Sequence, residues 1–412
     1  MVGLFLLGTQ VSLAQDGPGT IVLAEGWTAE VVVDNIPGTG PAGMAVGPDG
    51  ALYIAPAAPS STTWFPLLRY DPATGLTQHG NPIHDPDPVV LGSDGNLYVG
   101  ARNGICRVAP DGATALFAVD PANVGKKYPT TGLLANVDGL ALRADGRLYG
   151  TTSIDTVHSS VACVDSAGHP SLFVMLTFRP ANIRFAPIIP GWEHSGQLFI
   201  TDRTYGRVIV ADPDTGTLST FADDLASPAD IEFDRDDLSV YVTDAGRGIV
   251  YQIAQDGARM VIASGLLSPN FFMWDGAGRL LVSEATGFRI VALKKADTTT
   301  PTLTVGASPS QLWPPNHKLV RICITIDVFD AVDPAPLVEL VSVTSSEPDN
   351  GLGDGDTPCD IVTDVQGSLF LRAERGGSGP GRIYTITYIT TDKSGNSTQA
   401  AVEVRVLHDQ GK

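Results

Sequence analysis

The sequence predicts an all-β protein with two domains, a six-bladed β-propeller followed by a β-sandwich. Three observations support this prediction. The composition, with 45 Gly and 30 Pro but only 17% charged residues in 412, favours many short strands joined by tight turns. A strand-turn-strand segment recurs six times along the first 293 residues, and residues 303–412 contain further strands of alternating pattern.

The first residues are typical of an export signal. Met1–Leu6 is apolar, and Ser12, Leu13 and Ala14 precede Gln15, so small residues stand where signal peptidase cleaves. We expect residues 1–14 to be a signal peptide and the protein to be secreted, periplasmic or extracellular. A buried first strand is the alternative, because no Lys or Arg precedes the apolar run. No later segment approaches the ~18 apolar residues that a membrane span needs, so we expect no membrane span.

Residues 15–293 contain the repeat. Each copy has an apolar strand, a turn that usually contains Asp-Gly, and a second strand. The spacing between equivalent residues runs from 40, between Val240 and Leu280, to 51, between Leu97 and Leu148. Four strands and their turns need a repeat of this length, so each copy is one predicted blade. The aligned positions are Leu52, Leu97, Leu148, Leu198, Val240 and Leu280.

The last blade lacks a fourth strand in its own stretch of sequence. Arg289–Leu293 runs directly into a linker at residues 294–302, whereas Thr28–Ile36 has the pattern of a fourth strand with no first strand before it. We therefore predict that residues 28–36 pair with the last blade and close the ring, which leaves no open sheet edge.

These blades resemble the NHL-repeat and regucalcin/gluconolactonase group of six-bladed β-propellers. The resemblance rests on segments such as Asp94-Gly95-Asn96-Leu97-Tyr98-Val99 and covers roughly residues 28 to 293. It is specific for the fold but weak for activity, because the group includes lactonases, antibiotic lyases and binding modules.

Residues 303–412 are predicted to form the β-sandwich, with strands such as Val320–Val328 and Ala401–Val406. The stretch Leu312–Lys318, with Trp313-Pro314-Pro315, resembles an immunoglobulin-like module related to the hyalin repeat that is appended to many secreted bacterial proteins. That resemblance implies an accessory or adhesion-like role. An acidic segment of this domain forms either a Ca²⁺-binding loop or a flexible polar loop. Its carboxylates are those of Glu347, Asp349, Asp354 and Asp356.

The four cysteines fall into two groups. Cys323 and Cys359 lie in the C-terminal domain, and we predict a disulfide between them because an exported protein can keep it oxidised. Cys106 and Cys163 occupy third-strand positions in adjacent blades, where sheets ~10 Å apart exceed the ~7 Å limit for a bridge. We expect both to be free thiols.

A ring of polar residues is expected at one mouth of the propeller channel. The first strand of each blade begins about seven residues before its turn, and five of these six positions are Asp or Asn. The side-chain oxygens of Asp and Asn are suitable ligands for Ca²⁺. Alternatively, these side chains form hydrogen bonds to their own backbone and so cap the turns. The ring positions are Ala42 and the candidate metal ligands Asp87, Asp138, Asn182, Asp230 and Asn270. The gluconolactonase group has a Glu in the first blade, so Ala42 departs from its pattern.

Arginines and histidines supply the other candidates. Arg203, Arg247 and Arg289 follow second strands and are candidate anion-binding residues at the same mouth, or they pair with the carboxylates that end those strands. The carboxylates are those of Asp202, Asp244 and Glu284. His84, His158 and His194 are candidate general bases or exposed loop residues, and no partner for them is fixed by the sequence.

The net charge of -19 excludes a basic surface for nucleic acid. Two functions remain. The first is a secreted, monomeric binding protein whose channel mouth takes a small molecule or an extracellular protein or carbohydrate, with or without Ca²⁺. The second is a metal-dependent hydrolase or lyase of the gluconolactonase type. No catalytic residue is assigned.

Overall fold

The computed structural model describes residues 20–58, 63–126, 131–234, 237–350, 357–364, 367–377 and 381–407. The predicted signal peptide lies outside these residues. The chain divides into two compact units, Met1–Lys295 and Ala296–Lys412. The described part is all-β, with one short 3-10 helix at Pro121–Asn123. No helix in the described ranges is long and apolar enough to cross a membrane.

The first unit opens with two strands, β1 (Val22–Leu23) and β2 (Trp27–Val33), and continues with four antiparallel sheets of four strands each. Sheet 1 contains β3 (Pro41–Val46), β4 (Leu52–Pro56), β5 (Trp64–Asp71) and β6 (Gly75–His84). Sheet 2 contains β7 (Val89–Leu91), β8 (Leu97–Ala101), β9 (Gly104–Val108) and β10 (Thr114–Ala118). Sheet 3 contains β11 (Leu140–Leu142), β12 (Leu148–Thr152), β13 (Ser159–Val164) and β14 (Pro170–Leu176), and sheet 4 contains β15 (Pro180–Phe185), β16 (Leu198–Asp202), β17 (Arg207–Ala211) and β18 (Leu218–Ala222).

The last two sheets of this unit are completed from the other end of the chain. Sheet 5 contains β19 (Pro228–Phe233), β20 (Val240–Asp244), β21 (Ile249–Ile253) and β22 (Arg259–Ser264), and sheet 6 contains β23 (Pro269–Trp274), β24 (Leu280–Glu284) and β25 (Arg289–Lys295). β2 pairs antiparallel with β25, and β1 pairs with β22 as a fifth strand of sheet 5. The sequence predicted the partner of β2. It did not predict β1.

The first strands of the six sheets are neighbours in a closed cycle, β3–β7–β11–β15–β19–β23 and back to β3. The first strands of sheets 1 and 2 approach each other closely at Gly43 in β3. A side chain would not fit there, because a Cβ added at Gly43 would lie 2.0 Å from the carbonyl oxygen of Asp87, just before β7. The residues at the starts of these strands are therefore brought to one end of a central channel. We call that end the top, and the end where the first strands finish the bottom.

The second unit has two four-stranded sheets. One has the order β26 (Thr302–Ser308), β28 (Leu319–Phe329), β31 (Leu369–Arg372) and β30 (Ile361–Thr363). The other has the order β27 (Gln311–Leu312), β33 (Ser397–Val406), β32 (Ile383–Thr391) and β29 (Leu337–Ser345). Side chains from both sheets, including Ile322, Leu371, Tyr384 and Val404, share one buried core.

The predicted disulfide is absent from this structure, since Cys323 and Cys359 are both free thiols. The strand register gives the reason. Arg372, which donates to the carbonyl of Cys359, lies opposite Leu319 in β28. Cys323 lies four residues beyond Leu319 in the same strand, which puts the two residues about 13 Å apart at the rise of an extended chain. The Cα atoms of two cysteines joined by a disulfide lie within ~7 Å of each other. The disulfide prediction was wrong on this geometry.

Cys106 and Cys163 are free, as expected. Burial raises the pKa of the Cys106 thiol to about 11. Since the thiolate is the reactive form, this cysteine is inert at neutral pH.

Candidate functional site

The top mouth of the channel contains the predicted ring, and its residues make contacts from one sheet to the next. The amide of Asn182 donates to Asp230 Oδ1 at 2.6 Å, and Arg203 donates to Asn270 Oδ1 at 3.2 Å. Asp87 and Asp138 stand close enough for the charge of one to raise the pKa of the other. The structure therefore brings the ring residues together in neighbouring pairs.

Asp230 is the most completely satisfied member of the ring. Its side chain is 1% exposed, and both carboxylate oxygens accept hydrogen bonds from the protein. Oδ1 accepts from Asn182 and from its neighbour's amide at Ile231, while Oδ2 accepts from the amide of Phe272 and from Arg184. With four donors in place, Asp230 has no free lone pair directed at an ion. Its contacts are those of a structural carboxylate that joins sheets 4, 5 and 6.

Asp87 and Asp138 differ from Asp230. Asp138 Oδ1 accepts from Asn136 at 2.6 Å, whereas Asp87 Oδ1 is buried and accepts no hydrogen bond from any described residue. Burial raises the pKa of Asp138 to about 6, with Arg203 acting in the opposite direction. Burial, and then the charge of Asp138, raises the pKa of Asp87 well above its usual value. This carboxyl pair is therefore able to retain a proton near neutral pH.

The three candidate arginines have different environments. Arg203 extends toward the channel, contacts Asn270 and acts electrostatically on both Asp87 and Asp138. Arg247 pairs with Asp244 at 3.5 Å and Asp224 at 3.5 Å, and Arg289 pairs with Glu284. Of these three, only Arg203 is directed at the ring.

The carboxylates that end the second strands are structural. Asp202, Asp244 and Glu284 are all fully buried and bind backbone amides of nearby loops as well as an arginine. Asp202 takes Arg207 as its partner rather than the adjacent Arg203, at 2.7 Å. Because Asp202 pairs with Arg207, the Arg203 side chain is able to extend toward the channel and contact Asn270. The amides bound by the three carboxylates are those of Thr204, Tyr205, Ala226, Ser227, Arg247 and Leu267.

A chain of contacts leads from the ring to an exposed aromatic ring. Arg102 donates to Asn136, which donates to Asp138, and Arg102 lies 4.0 Å from the carboxylate of Asp85. His84, the residue before Asp85, stacks on Trp64 with ring centroids 4.9 Å apart. Trp64 is 49% exposed.

The site residues predicted from the sequence did not include Asp85, Arg102, Asn136 or Trp64. One signal was available: Asp85-Pro86-Asp87 and Asn136-Val137-Asp138 both place a second polar residue two positions before a ring residue. The first polar residue of each segment has a left-handed backbone, with φ 51° at Asp85 and 54° at Asn136, a conformation that Asp and Asn adopt more readily than most other residues.

The remaining histidines make local contacts. His158 binds Asp155 at 2.8 Å in an exposed turn, and His194 binds Gln197 at 2.9 Å beside Phe199. Within the described ranges, no three His, Cys, Asp or Glu side chains form a group that could hold a metal ion.

The acidic loop of the second unit is partly described. Glu347 accepts from the amide of Gly376 at 2.7 Å, and Asp349 accepts from the amides of Cys359 and Asp360. These two carboxylates hold their own loops in place. Asp354 and Asp356 lie outside the described residues.

No protein-family model matches the sequence, and neither does any curated protein. Solved structures do resemble the chain. A gluconolactonase from Xanthomonas campestris is 16% identical, with a TM-score of 0.52 over 67% of this chain and 90% of that one. Auxiliary nutrient binding proteins from Bacteroides thetaiotaomicron and Bacteroides ovatus are 9% and 10% identical, each with a TM-score of 0.50 over 65% of this chain and 76% of theirs. At these identities the similarity concerns the fold, and the matched part of this chain has a β-propeller fold.

Proposed function

We propose that the protein is a secreted binding protein, and that the top mouth of its six-bladed propeller binds a small hydroxyl-rich ligand such as a sugar. The buried oxygen of Asp87 is the observation that carries this proposal. A buried carboxylate oxygen with no donor costs about 1–3 kcal/mol or more, and a ligand hydroxyl would remove that cost. The C-terminal unit would then be an immunoglobulin-like accessory module.

The surroundings of Asp87 favour a polar ligand with several hydroxyl groups. Asp138 offers an acceptor or, when protonated, a donor, and Arg203, whose charge acts on both carboxyl groups, offers further donors. Trp64 supplies an exposed aromatic face along the same chain of contacts. A few placed polar groups beside an aromatic surface are typical of small-molecule sites. The nutrient binding proteins among the similar structures agree with a binding role.

The proposal predicts a specific pattern of ligand stabilisation. D-glucose, D-galactose, D-mannose and D-gluconate would each be added to the purified chain while the melting temperature is recorded. A ligand at 100 times its Kd stabilises by about 2.7 kcal/mol, which corresponds to roughly 5 °C for a domain of this size. We expect at least one sugar to give such a rise, and we expect Asp87→Ala, which removes the acceptor oxygen, and Arg203→Met to abolish it.

Arg247→Met is the matched control, because Arg247 follows a second strand as Arg203 does but pairs with Asp244. This variant should keep the full sugar response. If no sugar raises the melting temperature, or if Asp87→Ala retains the response, the binding proposal is wrong.

A lactone hydrolase is the second candidate, and the Asp87–Asp138 pair favours it. A carboxyl group that holds a proton near neutral pH is suited to general acid–base catalysis. A similar structure is named as a gluconolactonase. Assays of glucono-1,5-lactone hydrolysis separate the two functions, since binding alone predicts the uncatalysed rate. Turnover that Asp87→Asn abolishes would establish the hydrolase instead.

Calcium at the top mouth stays a prediction, with Asp87 and Asp138 as the residues that would hold it. Ca²⁺ takes six to eight oxygen ligands, but Asp230, Asn182 and Asn270 use their side-chain oxygens within the protein. The described residues therefore supply too few oxygen ligands for a complete calcium site, and neither candidate function requires calcium. Each measurement would be repeated in excess calcium and in chelator, and a lower melting temperature in chelator would establish the ion.

A further inference from the structure

Sheet 4 has two arginines at the top mouth where sheets 5 and 6 have small residues. In each of these three sheets, the amide of the residue after the second strand donates to the carbonyl of the residue before the first strand, at 3.0 to 3.2 Å. In sheet 4 the two residues are Arg203 and Arg179. The same backbone bond identifies their counterparts, which are Ala245 with Ser227 in sheet 5 and Ala285 with Ser268 in sheet 6.

Neither arginine belongs to an ion pair that the fold repeats. Asp202, the carboxylate at the end of β16, pairs with Arg207 at 2.7 Å, and sheet 6 has the same pairing between its second-strand carboxylate and an arginine five residues later. Arg203 is additional to this pattern and donates to Asn270 at 3.2 Å. Within the described ranges, neither Arg203 nor Arg179 pairs with a carboxylate. Both side chains are exposed, so a ligand can reach them from solvent.

Both arginines lie beside the carboxyl pair of the ring. Pro180, which follows Arg179, accepts from the hydroxyl of Ser153 at 3.0 Å, and Ser153 also contacts Asp138. Burial raises the pKa of Asp138, and the charges of Arg203 and Arg179 act against that rise. The two guanidinium groups therefore stand next to the site where the proposed sugar binds.

The charges at this mouth favour a ligand with one negative charge. Asp85 has its own cationic neighbour, Arg102 at 4.0 Å. The Asp87–Asp138 pair has about one negative charge when it retains one proton, whereas the two arginines of sheet 4 bring two positive charges. One carboxylate on the ligand would make the sum about zero, and an ammonium group would be repelled. A phosphate ester, with a charge of about -1.5 to -2 near pH 7, exceeds this balance.

We propose that the ligand of the top mouth is a sugar acid, and that its carboxylate binds Arg179 and Arg203 while its hydroxyl groups contact the polar ring. This inference rests on the proposed binding function and adds the chemical class of the ligand to it. Arginine suits a carboxylate because the planar guanidinium donates two parallel hydrogen bonds to the two oxygens.

Titration calorimetry with matched probes tests the chemistry, in a buffer free of carboxylate and phosphate. D-glucuronate and D-glucose share the pyranose ring and differ at carbon 6, where D-glucuronate has the carboxylate. Hydrogen bonds from charged donors should make D-glucuronate bind at least about tenfold more tightly than D-glucose. D-glucuronamide, which lacks the charge, should bind like D-glucose, and D-glucosamine and D-glucose 6-phosphate should bind more weakly than D-glucuronate. Preferred binding of the amine or the phosphate would overturn the proposal.

Variants that copy sheets 5 and 6 locate the carboxylate. Arg179→Ser and Arg203→Ala introduce the residues that these sheets have at the same positions, so both variants should keep the wild-type melting temperature. Arg179→Ser should weaken D-glucuronate binding at least about tenfold and leave D-glucose binding unchanged. Arg203→Ala should weaken both, because Arg203 also serves the neutral sugar. Arg247→Met, whose arginine pairs with Asp244, should change neither.

The outcomes separate this inference from the proposed function. Equal affinities for D-glucose and D-glucuronate, or an unchanged preference for D-glucuronate in Arg179→Ser, would overturn the sugar-acid inference and leave the binding function in place. If no sugar and no sugar acid binds, the binding function itself is wrong, and the inference fails with it.

Discussion

A chain that begins at Gly38 is expected to lose the cooperative unfolding of its first unit. This truncation removes both β1 and β2, the outermost strands of sheets 5 and 6. Five buried apolar side chains go with them, those of Ile21, Leu23, Trp27, Val33 and Ile36. At about 1.5–3 kcal/mol for each side chain, the loss is about 10 kcal/mol. That is comparable with the whole stability of a typical domain.

Calorimetry of three chains measures this effect. The full chain and a chain that begins at Thr20 retain β1 and β2, so both should give the same transition for the first unit. The chain that begins at Gly38 should give none, or one lowered by tens of degrees. An unchanged transition in the shortest chain would contradict the role of β2 in completing sheet 6.

Arg382→Met is expected to destabilise the second unit by about 3–5 kcal/mol. Arg382 is fully buried and pairs with Asp360, which is 1% exposed. Its other contacts include Glu347, the carbonyl of Pro348 and the hydroxyl of Tyr384. Removing the guanidinium leaves a buried carboxylate that keeps Arg372, at 3.2 Å, as its one cationic partner among the described residues. Breaking a buried pair in this way typically costs several kcal/mol.

Arg405→Met is the matched control within the same unit. Arg405 also pairs with a carboxylate, that of Glu403 at 2.8 Å, but both side chains are about half exposed. An exposed pair contributes at most about 1 kcal/mol. Calorimetry should show a much lower transition for the second unit in Arg382→Met, an unchanged one in Arg405→Met, and the same first-unit transition in both. Equal effects of the two substitutions would contradict this account.

The repeat pattern predicted most of the first unit because each copy has two apolar strands around a turn. It also predicted that Thr28–Ile36 belongs to the last sheet, since that segment resembles the fourth strand of other copies. β1 was missed because a strand of two residues has no periodicity. The disulfide prediction failed because the sequence does not reveal which residues of β28 and β31 lie opposite each other.

The sequence predicted where the ring residues lie but not which residues they contact. Counting from the turns located Asp87, Asp138, Asn182, Asp230 and Asn270 at one end of the channel, where the structure also has them. The sequence did not indicate that Arg184, two residues after Asn182, would bind Asp230 in the neighbouring sheet. It also could not indicate that Asp202 pairs with Arg207 instead of Arg203. Such choices depend on side-chain geometry over several ångströms, which spacing along the chain does not encode.

The central claim is that Asp87, Asp138 and Arg203 meet at the top mouth, and the pKa of Asp138 tests it most directly. Folding raises this pKa from 3.8 to about 6. The protonated carboxyl therefore stabilises the fold fully below pH ~4, and this contribution is lost as the pH rises through about 6. Carboxyl ¹³C NMR in chelator, with Asp138→Asn to assign the resonance, measures the titration.

Each neighbour should move the Asp138 titration in a known direction. Asp85→Asn removes a negative charge that raises the Asp138 pKa and should lower it, whereas Arg203→Met removes a positive charge that lowers this pKa and should raise it. Arg247→Met should leave it unchanged, because Arg247 pairs with Asp244 and Asp224. The account predicts a pKa near 6 with these three responses. A pKa near 4 that none of the three substitutions moves would contradict it.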